Sequence, residues 1–124
     1  MRILLADDDI RMRTIVQLWL ENNQHEVTHA GNGVEAIERL AEQDFDVLVT
    51  DINMPLMNGL DLVSTLLERG EHPRLILILS SRCDLAELRK SFNHRAVHCC
   101  CKPFRPSELT ELIQNLTLAT EAAS

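Results

Sequence analysis

Apolar and polar positions along this chain follow two periods, one typical of strands and the other of helices. Short apolar runs of strand length fall at residues 2–6, 26–30, 46–50, 74–80 and 96–101. Segments with apolar side chains three or four positions apart follow these runs, at 10–22, 34–43, 60–69, 84–94 and from 106 onward. The pattern predicts five strand–helix units without an internal repeat or a linker.

Strands that alternate with helices predict a single α/β domain in which helices cover both faces of a parallel sheet. The crossovers between such strands are expected to be right-handed. The run from Leu75 to Leu79 is apolar at every position, which is typical of a strand buried on both faces. We assign residues 1–118 to this domain, and expect 119–124 to be a frayed tail or the start of a linker to an absent output domain.

Polar and charged side chains stand where four of the predicted strands end. Asp7 and Asp8 follow the first strand, Asp51 follows the third, Ser80 closes the fourth and Lys102 follows the fifth. The carboxyl ends of parallel strands meet at one edge of the sheet, which is also where ligands bind in such folds. Carboxylates gathered there repel one another unless a cation joins them. The sequence therefore predicts one site at this edge.

The residue types at this edge suit a hard metal ion and phosphoryl chemistry. Mg²⁺, or Mn²⁺ in its place, prefers carboxylate and carbonyl oxygens, which Asp8, Asp51 and the loop after Asp51 can supply. Asp7 can hold a water on the metal. A carboxylate can attack phosphorus to form an acyl phosphate, with Lys102 and the Ser80 hydroxyl facing the phosphoryl oxygens. Asp51 belongs to the middle strand, so it is the expected acceptor.

Charge and hydropathy exclude several classes of protein. The formal net charge is −7, which argues against direct binding of nucleic acid by this domain. No apolar stretch approaches the ~18 residues needed to span a membrane. Acidic residues from Asp7 onward do not fit a signal peptide. We therefore expect a cytoplasmic protein with no membrane partner.

The cysteines are Cys83 and the contiguous Cys99, Cys100 and Cys101. Contiguous cysteines do not form a typical disulfide framework, and neighbouring strand residues would hold zinc awkwardly. We expect small buried side chains in a reducing compartment. The alternative is a redox sensor, which requires exposure and electropositive surroundings.

Together, these segments resemble the CheY-like receiver domain of two-component response regulators. The matching segments are 3–9 (ILLADDD), 50–59 (TDINMPLMNG), 79–81 (LSS) and 102–104 (KPF). The resemblance covers the chain from Arg2 to about Leu116. It implies a flavodoxin-like (βα)5 doubly wound fold with strand order 2-1-3-4-5.

The resemblance also implies a role for each site residue. Asp51 would accept a phosphoryl group from the phosphohistidine of a sensor histidine kinase or a histidine phosphotransfer protein. Asp8 would bind Mg²⁺ directly, Asp7 through a water, and Asn53 through its backbone carbonyl, with Asp51 completing the metal site. The domain would catalyse its own phosphorylation and dephosphorylation without being a turnover enzyme.

The resemblance further implies a switch. Ser80 and Lys102 would contact the phosphoryl group and bias a surface formed by the fourth helix, fifth strand and final helix toward an output domain or effector protein. The peptide bond between Lys102 and Pro103 is commonly cis in the family. The family usually carries Tyr or Phe three residues before this lysine, where this chain has Cys99. We therefore expect loop and helix rearrangement to carry the output without an aromatic flip.

Two other functions remain open from the sequence. A receiver-like module with a fixed interaction surface would bind its partner independently of phosphorylation, and the missing aromatic favours this alternative. A flavodoxin-like electron carrier is disfavoured, because three consecutive aspartates at 7–9 would repel the flavin phosphate. The sequence leaves the oligomeric state undetermined.

Overall fold

Five strands and four helices alternate through the part of the chain that the computed structural model describes, residues 1–80, 94–102 and 104–123. The strands are β1 (Arg2–Ala6), β2 (Glu26–Ala30), β3 (Val47–Asp51), β4 (Leu75–Ser80) and β5 (Val97–Cys101). The helices are α1 (Ile10–Asn22), α2 (Gly33–Glu42), α3 (Gly59–Arg69) and α4 (Pro106–Ala123). All strand pairs are parallel, in the order β2-β1-β3-β4-β5.

Two apolar clusters cover the two faces of the sheet, because alternate residues of a strand point to opposite faces. One cluster joins Leu4, Leu48 and Ile76 to residues of α2 and α3. The other joins Leu5 and Leu77, among other residues, to α1 and α4. Burying one leucine or isoleucine side chain contributes about 1.5–3 kcal/mol. Strands β1, β3 and β4 are buried on both faces, which explains why their sequences are almost continuously apolar.

Side-chain caps fix where three helices begin at the carboxyl edge of the sheet. Asp9, Asn32 and Asn58 precede α1, α2 and α3, and each accepts a backbone N–H from the first helical turn, at 3.0, 2.8 and 2.8 Å. These bonds satisfy helix N–H groups that would otherwise lack partners. The caps therefore set the lengths of the loops that follow β1, β2 and β3.

The predicted α/β architecture and strand order are confirmed, with small shifts in element bounds. β3 begins one residue later than predicted because Asp46 bridges back to β1: its N–H donates to the Arg2 carbonyl at 2.8 Å, and its carboxylate accepts the Arg2 N–H at 2.9 Å. α2 begins at Gly33, one residue early, because Asn32 is its cap. α4 continues to Ala123, beyond the predicted extent, and the linker assignment of residues 119–124 stays a prediction.

Some expectations fall on residues that are not described. The predicted helix over 84–94 lies outside the described residues except for its last position, and so does Pro103 with its predicted cis bond. Within the described ranges, no helix combines the length and apolar character needed to cross a membrane.

Candidate functional site

Three carboxylates converge at the carboxyl edge of the sheet. Asp7 and Asp8 directly follow β1, and Asp51 is the last residue of β3, the strand beside it. One oxygen of each carboxylate lies within 4.8 Å of the others. Asp7 is buried, Asp51 is half-buried and Asp8 is exposed. The sequence predicted this cluster, and its graded exposure leaves one side open to solvent.

The carboxylate of Asp51 is held by two different partners. The backbone N–H of Ile52 donates to Oδ1 at 2.8 Å, and Lys102 Nζ lies 3.2 Å from Oδ2. The Asp51 and Lys102 side chains are only 13% and 21% exposed, so solvent screens their attraction less than at an open surface. The backbone is also held, because the buried Thr50 hydroxyl donates to the Asp51 carbonyl at 2.9 Å. The side chain is thus oriented before any ligand arrives.

Burial raises the pKa of the Asp7 carboxyl group. Its side chain is 1% exposed, and this desolvation raises the pKa of the carboxyl above its ordinary value of 3.8. The backbone N–H of Asp9, which donates to Oδ1 at 2.9 Å, lowers the pKa in opposition. The charges of Asp51 and Asp8 raise it further, while the charge of Lys102 lowers it. A cation bound at the cluster would relieve both the burial cost and the repulsion.

Lys102 reaches Asp51 although its strand is not the neighbour of β3. It follows β5, and β4 lies between β5 and β3. The Lys102 N–H donates to the Ser80 carbonyl at 2.7 Å, which extends the strand pairing by one step. Ser80 is buried at the end of β4. Because β4 lies between β3 and β5, Ser80 stands between Asp51 and Lys102 at this edge. The predicted site residues Asp7, Asp8, Asp51, Ser80 and Lys102 therefore share this edge.

Gly59 lets helix α3 pack against the backbone of the Asp51 loop. Its N–H donates to the Ile52 carbonyl at 2.8 Å. A Cβ on Gly59 would collide with the Asp51 carbonyl oxygen and lie 2.9 Å from the Asp51 carbonyl carbon. Only glycine fits this approach, so residue 59 fixes the loop that carries Asn53. Asn53 itself is exposed, and its predicted carbonyl contact to a metal stays a prediction.

Arg13 supports the acidic turn and was missed by sequence reasoning. Its guanidinium donates to the Asp7 carbonyl at 3.3 Å, although it lies one turn into α1. Its Nη1 also lies 3.5 Å from where a Cβ on Gly31 would stand, which places it beside the loop after β2. An arginine on a helix face carries no sequence signal for such a contact.

The cysteines depart in part from expectation. Cys99 and Cys100 are not disulfide-bonded, as expected, but they are half-buried and lie on opposite sides of the sheet. Burial, and secondarily Glu108, raises the pKa of the Cys100 thiol, which opposes the reactivity a redox sensor requires. Cys101 is disulfide-bonded, so the expectation of a small buried side chain in a reducing compartment is wrong for this residue. Spacing alone could not reveal that pairing. Cys83 lies outside the described residues.

The arrangement suits phosphoryl chemistry at a divalent cation. Three carboxylates within reach of one ion provide hard oxygen ligands for Mg²⁺. A lysine beside one of them can face the oxygens of a transferred phosphoryl group. These residues fit a magnesium site, and they leave Asp51 between the cation site and the lysine.

Comparison with known proteins places these features in a family. The response regulator receiver domain family matches residues 3–114 of this chain. The transcriptional regulatory protein SrrA of Staphylococcus aureus is 28% identical over 122 residues, covering 98% of this chain and 50% of SrrA. The chain thus spans about half the length of the curated relatives it matches.

Solved structures agree with this match. The receiver domain of the Francisella response regulator 1452 superposes with a TM-score of 0.85 at 28% identity, covering 96% of this chain and 98% of that one. The response regulator TrrA of Thermotoga maritima, solved in complex with Mg²⁺ and BeF, gives a TM-score of 0.78 at 26% identity and covers 93% of this chain and 97% of its own.

Proposed function

The chain belongs to the response regulator receiver domain family, and from this premise we propose that Asp51 accepts a phosphoryl group from a phosphohistidine of a partner protein. A carboxylate oxygen of Asp51 forms the new P–O bond as the P–N bond of the donor breaks, and the imidazole leaves with a proton from solvent. The observation that carries this proposal is the placement of Asp51, with Lys102 Nζ at 3.2 Å and two further carboxylates within 4.8 Å.

The cofactor of this reaction is proposed to be Mg²⁺, with Mn²⁺ able to replace it. Asp8 and Asp51 would hold the ion directly, Asp7 through a water, and Asn53 through its backbone carbonyl. When bound, the ion would offset the negative charge of the phosphoryl oxygens and of the carboxylates around them. The carboxylates of the buried Asp7 and the half-buried Asp51 repel each other, and a cation would relieve both the repulsion and the cost of burying Asp7, which supports this assignment.

Lys102 and Ser80 are proposed to stabilise the phosphorylated state. The lysine already pairs with Asp51 Oδ2, so it can transfer that contact to a phosphoryl oxygen. The Ser80 hydroxyl ends the adjacent strand and would donate to another oxygen. These contacts exist only after phosphorylation, so they can shift a population of conformations. The effect of these contacts would extend to the surface formed by the helix predicted over residues 84–94, by β5 and by the final helix α4.

Readout of this switch is proposed to proceed without an aromatic side chain at position 99. Cys99 is half-buried and packs beside the cluster that includes Ile76 and Ile78. A thiol there lacks the size to alternate between a buried and an exposed rotamer as a ring does. The partners would be a histidine kinase or phosphotransfer protein on one side, and an output domain or effector on the other. The cytoplasmic location stays a prediction.

A phosphorylation-independent interaction module is the second candidate. Cys99 in place of an aromatic favours it, because one element of a conventional switch is missing. The acidic cluster and Lys102 favour the phosphoacceptor function. A fixed binding surface would gain nothing from carboxylates that repel one another when no cation is bound.

Intact-mass measurement after incubation with acetyl phosphate and Mg²⁺ distinguishes the two candidates. We expect one phosphoryl adduct on the wild-type chain, and none on Asp51→Asn or in the presence of EDTA. A wild-type chain that gains no adduct, while a known active receiver domain reacts beside it, would contradict the proposal and favour the interaction module.

A further inference from the structure

Cys101 is the disulfide-bonded cysteine among the described residues. Cys99 and Cys100, which precede it in β5, are not disulfide-bonded, and the chain has four cysteines in all. The cysteine that remains as the partner of Cys101 within this chain is Cys83, which lies outside the described residues. The pairing thus follows from the state of the three cysteines of β5 and from the cysteine content of the sequence.

The disulfide at Cys101 adjoins the proposed phosphorylation site. Cys101 is half-buried at the end of β5, and its Sγ lies 3.3 Å from the carbonyl oxygen of the next residue, Lys102. Cys101 is paired with Ser80 across the sheet, and the Lys102 N–H donates to the Ser80 carbonyl at 2.7 Å. Lys102 Nζ in turn lies 3.2 Å from Asp51 Oδ2. The bonded sulfur therefore stands beside both residues that are proposed to respond to phosphorylation.

The bond joins two segments on which the proposed switch depends. Cys83 comes three residues after Ser80, so a bond to Cys101 closes a covalent ring that contains residues 84–100. This ring includes the predicted helix over 84–94 and most of β5. A cross-link between the two ends of a segment restricts the conformations that the segment can adopt. The disulfide can therefore restrain the proposed output surface without contacting the Asp51 carboxylate.

The sheet does not need this bond to hold β5 in place. Five residue pairs, from Ile76 with Val97 to Ser80 with Cys101, already join β5 to β4. Disulfides in proteins of a reducing compartment are usually transient and serve catalysis or redox sensing. The sequence predicts a cytoplasmic protein, so a bond at this position is expected to be reversible.

The two other cysteines of β5 are poor competitors for Cys101. Cys99 packs beside the apolar cluster that includes Ile76 and Ile78. Burial, and secondarily Glu108, raises the pKa of the Cys100 thiol. The thiolate is the species that attacks a disulfide, so a raised pKa slows exchange at Cys100. Exchange on β5 is thus confined to Cys101.

We propose that Cys83 and Cys101 form a thiol–disulfide switch that sets whether phosphorylation of Asp51 alters the surface containing residues 84–100. This inference rests on the proposed function and concerns the regulation of that same site. In the oxidised form Asp51 still accepts a phosphoryl group, because Lys102 already contacts it in the disulfide-bonded structure. The cross-linked surface keeps its arrangement. In the reduced form the surface is released and responds to phosphorylation.

Oxidation proceeds by exchange with the disulfide of a small thiol such as glutathione. One protein thiolate attacks a sulfur of the small disulfide and releases one small thiol, and the second protein thiolate then displaces the other. The S–S bond forms between Cys83 and Cys101, and the small disulfide takes up the two electrons. The two protons of the protein thiols end on the two small thiols. An excess of the small thiol reverses both steps.

The test measures hydrogen exchange of the whole chain in its oxidised and reduced forms, with and without beryllofluoride and Mg²⁺ as an unreactive phosphoryl mimic. In the reduced form, beryllofluoride should change deuterium uptake in peptides from residues 84–101. In the oxidised form this change should be about fivefold smaller. Cys83→Ser and Cys101→Ser cannot form the bond and should respond like the reduced wild type under both conditions. Cys100→Ser is the matched control and should keep the redox dependence. Acetyl phosphate should label both wild-type forms at rates within about twofold of each other.

A second readout follows from reciprocity between the two events. If the disulfide restrains the response to phosphorylation, the phosphorylated state must favour reduction by the same factor. In a glutathione buffer, beryllofluoride should therefore shift the ratio of dithiol to disulfide about tenfold toward the dithiol. The ratio is measured by mass spectrometry after alkylation of the thiols. Asp51→Asn, which lacks the acceptor carboxylate, should abolish this shift.

Four results would overturn the switch while the chemistry at Asp51 stands. They are a non-reducing peptide map in which Cys101 is linked to a second copy or is not linked to Cys83, a bond that glutathione does not reduce, an equal exchange response in both redox forms, and labelling by acetyl phosphate that is confined to the reduced form. Failure of acetyl phosphate to label either form would instead reject the proposed function itself.

Discussion

Lys102 Nζ lies 3.2 Å from Asp51 Oδ2, although one residue ends β3, the other follows β5, and β4 separates the two strands. Both side chains are mostly buried, and each helps to fix the other at the carboxyl edge. The pair links the proposed acceptor to the strand that leads toward the proposed output surface. Contact of this lysine with Asp51 is therefore the structural relationship on which both the proposed phosphoryl transfer and the proposed switching depend.

Removing the Lys102 charge should slow phosphorylation of Asp51. We expect Lys102→Ala to lower the rate of labelling by acetyl phosphate about 100-fold, since one preorganised charge facing the phosphoryl oxygens is lost. Rates are measured by intact mass over time at saturating Mg²⁺. Lys102→Arg is the matched control, because it keeps the charge, and it should retain a larger part of the rate. Labelling of Lys102→Ala within twofold of wild type would show that the lysine does not serve the reaction.

Neutralising Asp7 should stabilise the metal-free protein at neutral pH. Folding raises the pKa of this carboxyl above 3.8, chiefly through burial, so the folded state holds the proton more tightly than the unfolded state. The resulting stability is complete below pH 3.8 and is lost as pH rises through the higher folded-state pKa. At pH 7 the ionised carboxylate therefore costs stability that the amide of Asp7→Asn avoids.

The measurement is thermal unfolding in EDTA between pH 4 and pH 8. Asp7→Asn should raise Tm at pH 7 by a few degrees, equivalent to about 1 kcal/mol, and the gain should shrink toward pH 4. An Asp7→Asn protein that melts below wild type at pH 7 in EDTA would contradict the assignment of burial as the dominant cause.

Magnesium should stabilise the wild-type chain through the acidic cluster. Binding to the folded state alone raises stability by RT ln(1 + [Mg²⁺]/Kd), which is about 2.7 kcal/mol at 100 times Kd. We expect Tm to rise with Mg²⁺ concentration in the wild type and to respond far less in Asp8→Asn. Asp46→Asn, at the opposite edge of the sheet, is the control and should keep the full response. Equal Mg²⁺ responses in all three proteins would place the ion elsewhere.

A side chain at residue 59 should distort the loop that holds Asp51. A Cβ there would collide with the Asp51 carbonyl group and lie 3.1 Å from Ile52 Cα. We expect Gly59→Ala to lower the free energy of unfolding by about 2–3 kcal/mol and to slow labelling of Asp51. Gly31→Ala is the control, since its Cβ would meet its nearest atom at an ordinary 3.5 Å. Urea unfolding in which both variants are equally stable would refute the tight contact.

The sequence was sufficient to predict that the side chains of the site converge, because a general rule says where the strand ends of a parallel sheet lie in space. Asp7, Asp51 and Lys102 are far apart in the chain, but each stands at the carboxyl end of a recognisable apolar strand. The rule that these ends share one edge was sufficient to predict their convergence. Bounds of β1, β2 and α1 were equally predictable, because their apolar patterns end at clear polar residues.

Features that depend on one chain segment meeting another were not predictable in this way. The contact of Arg13 with the Asp7 carbonyl, the left-handed backbone of Leu56 and the disulfide at Cys101 leave no periodic signal. The shift of β3 by one residue has the same origin, since Asp46 forms hydrogen bonds with Arg2 of the neighbouring strand β1, which is far from it in the sequence. These details are determined by tertiary contacts and not by the local pattern of apolar and polar residues.

The most direct test of the central claim locates the phosphoryl group on the unmutated chain. After treatment with acetyl phosphate and Mg²⁺, borohydride reduction converts a phosphorylated aspartate to homoserine, which peptide mass spectrometry assigns to a position. We predict homoserine at residue 51 alone, and none when EDTA replaces Mg²⁺. Homoserine at Asp8 or another carboxylate, or its absence from a chain that remains folded, would contradict the assignment of Asp51 as the phosphoacceptor.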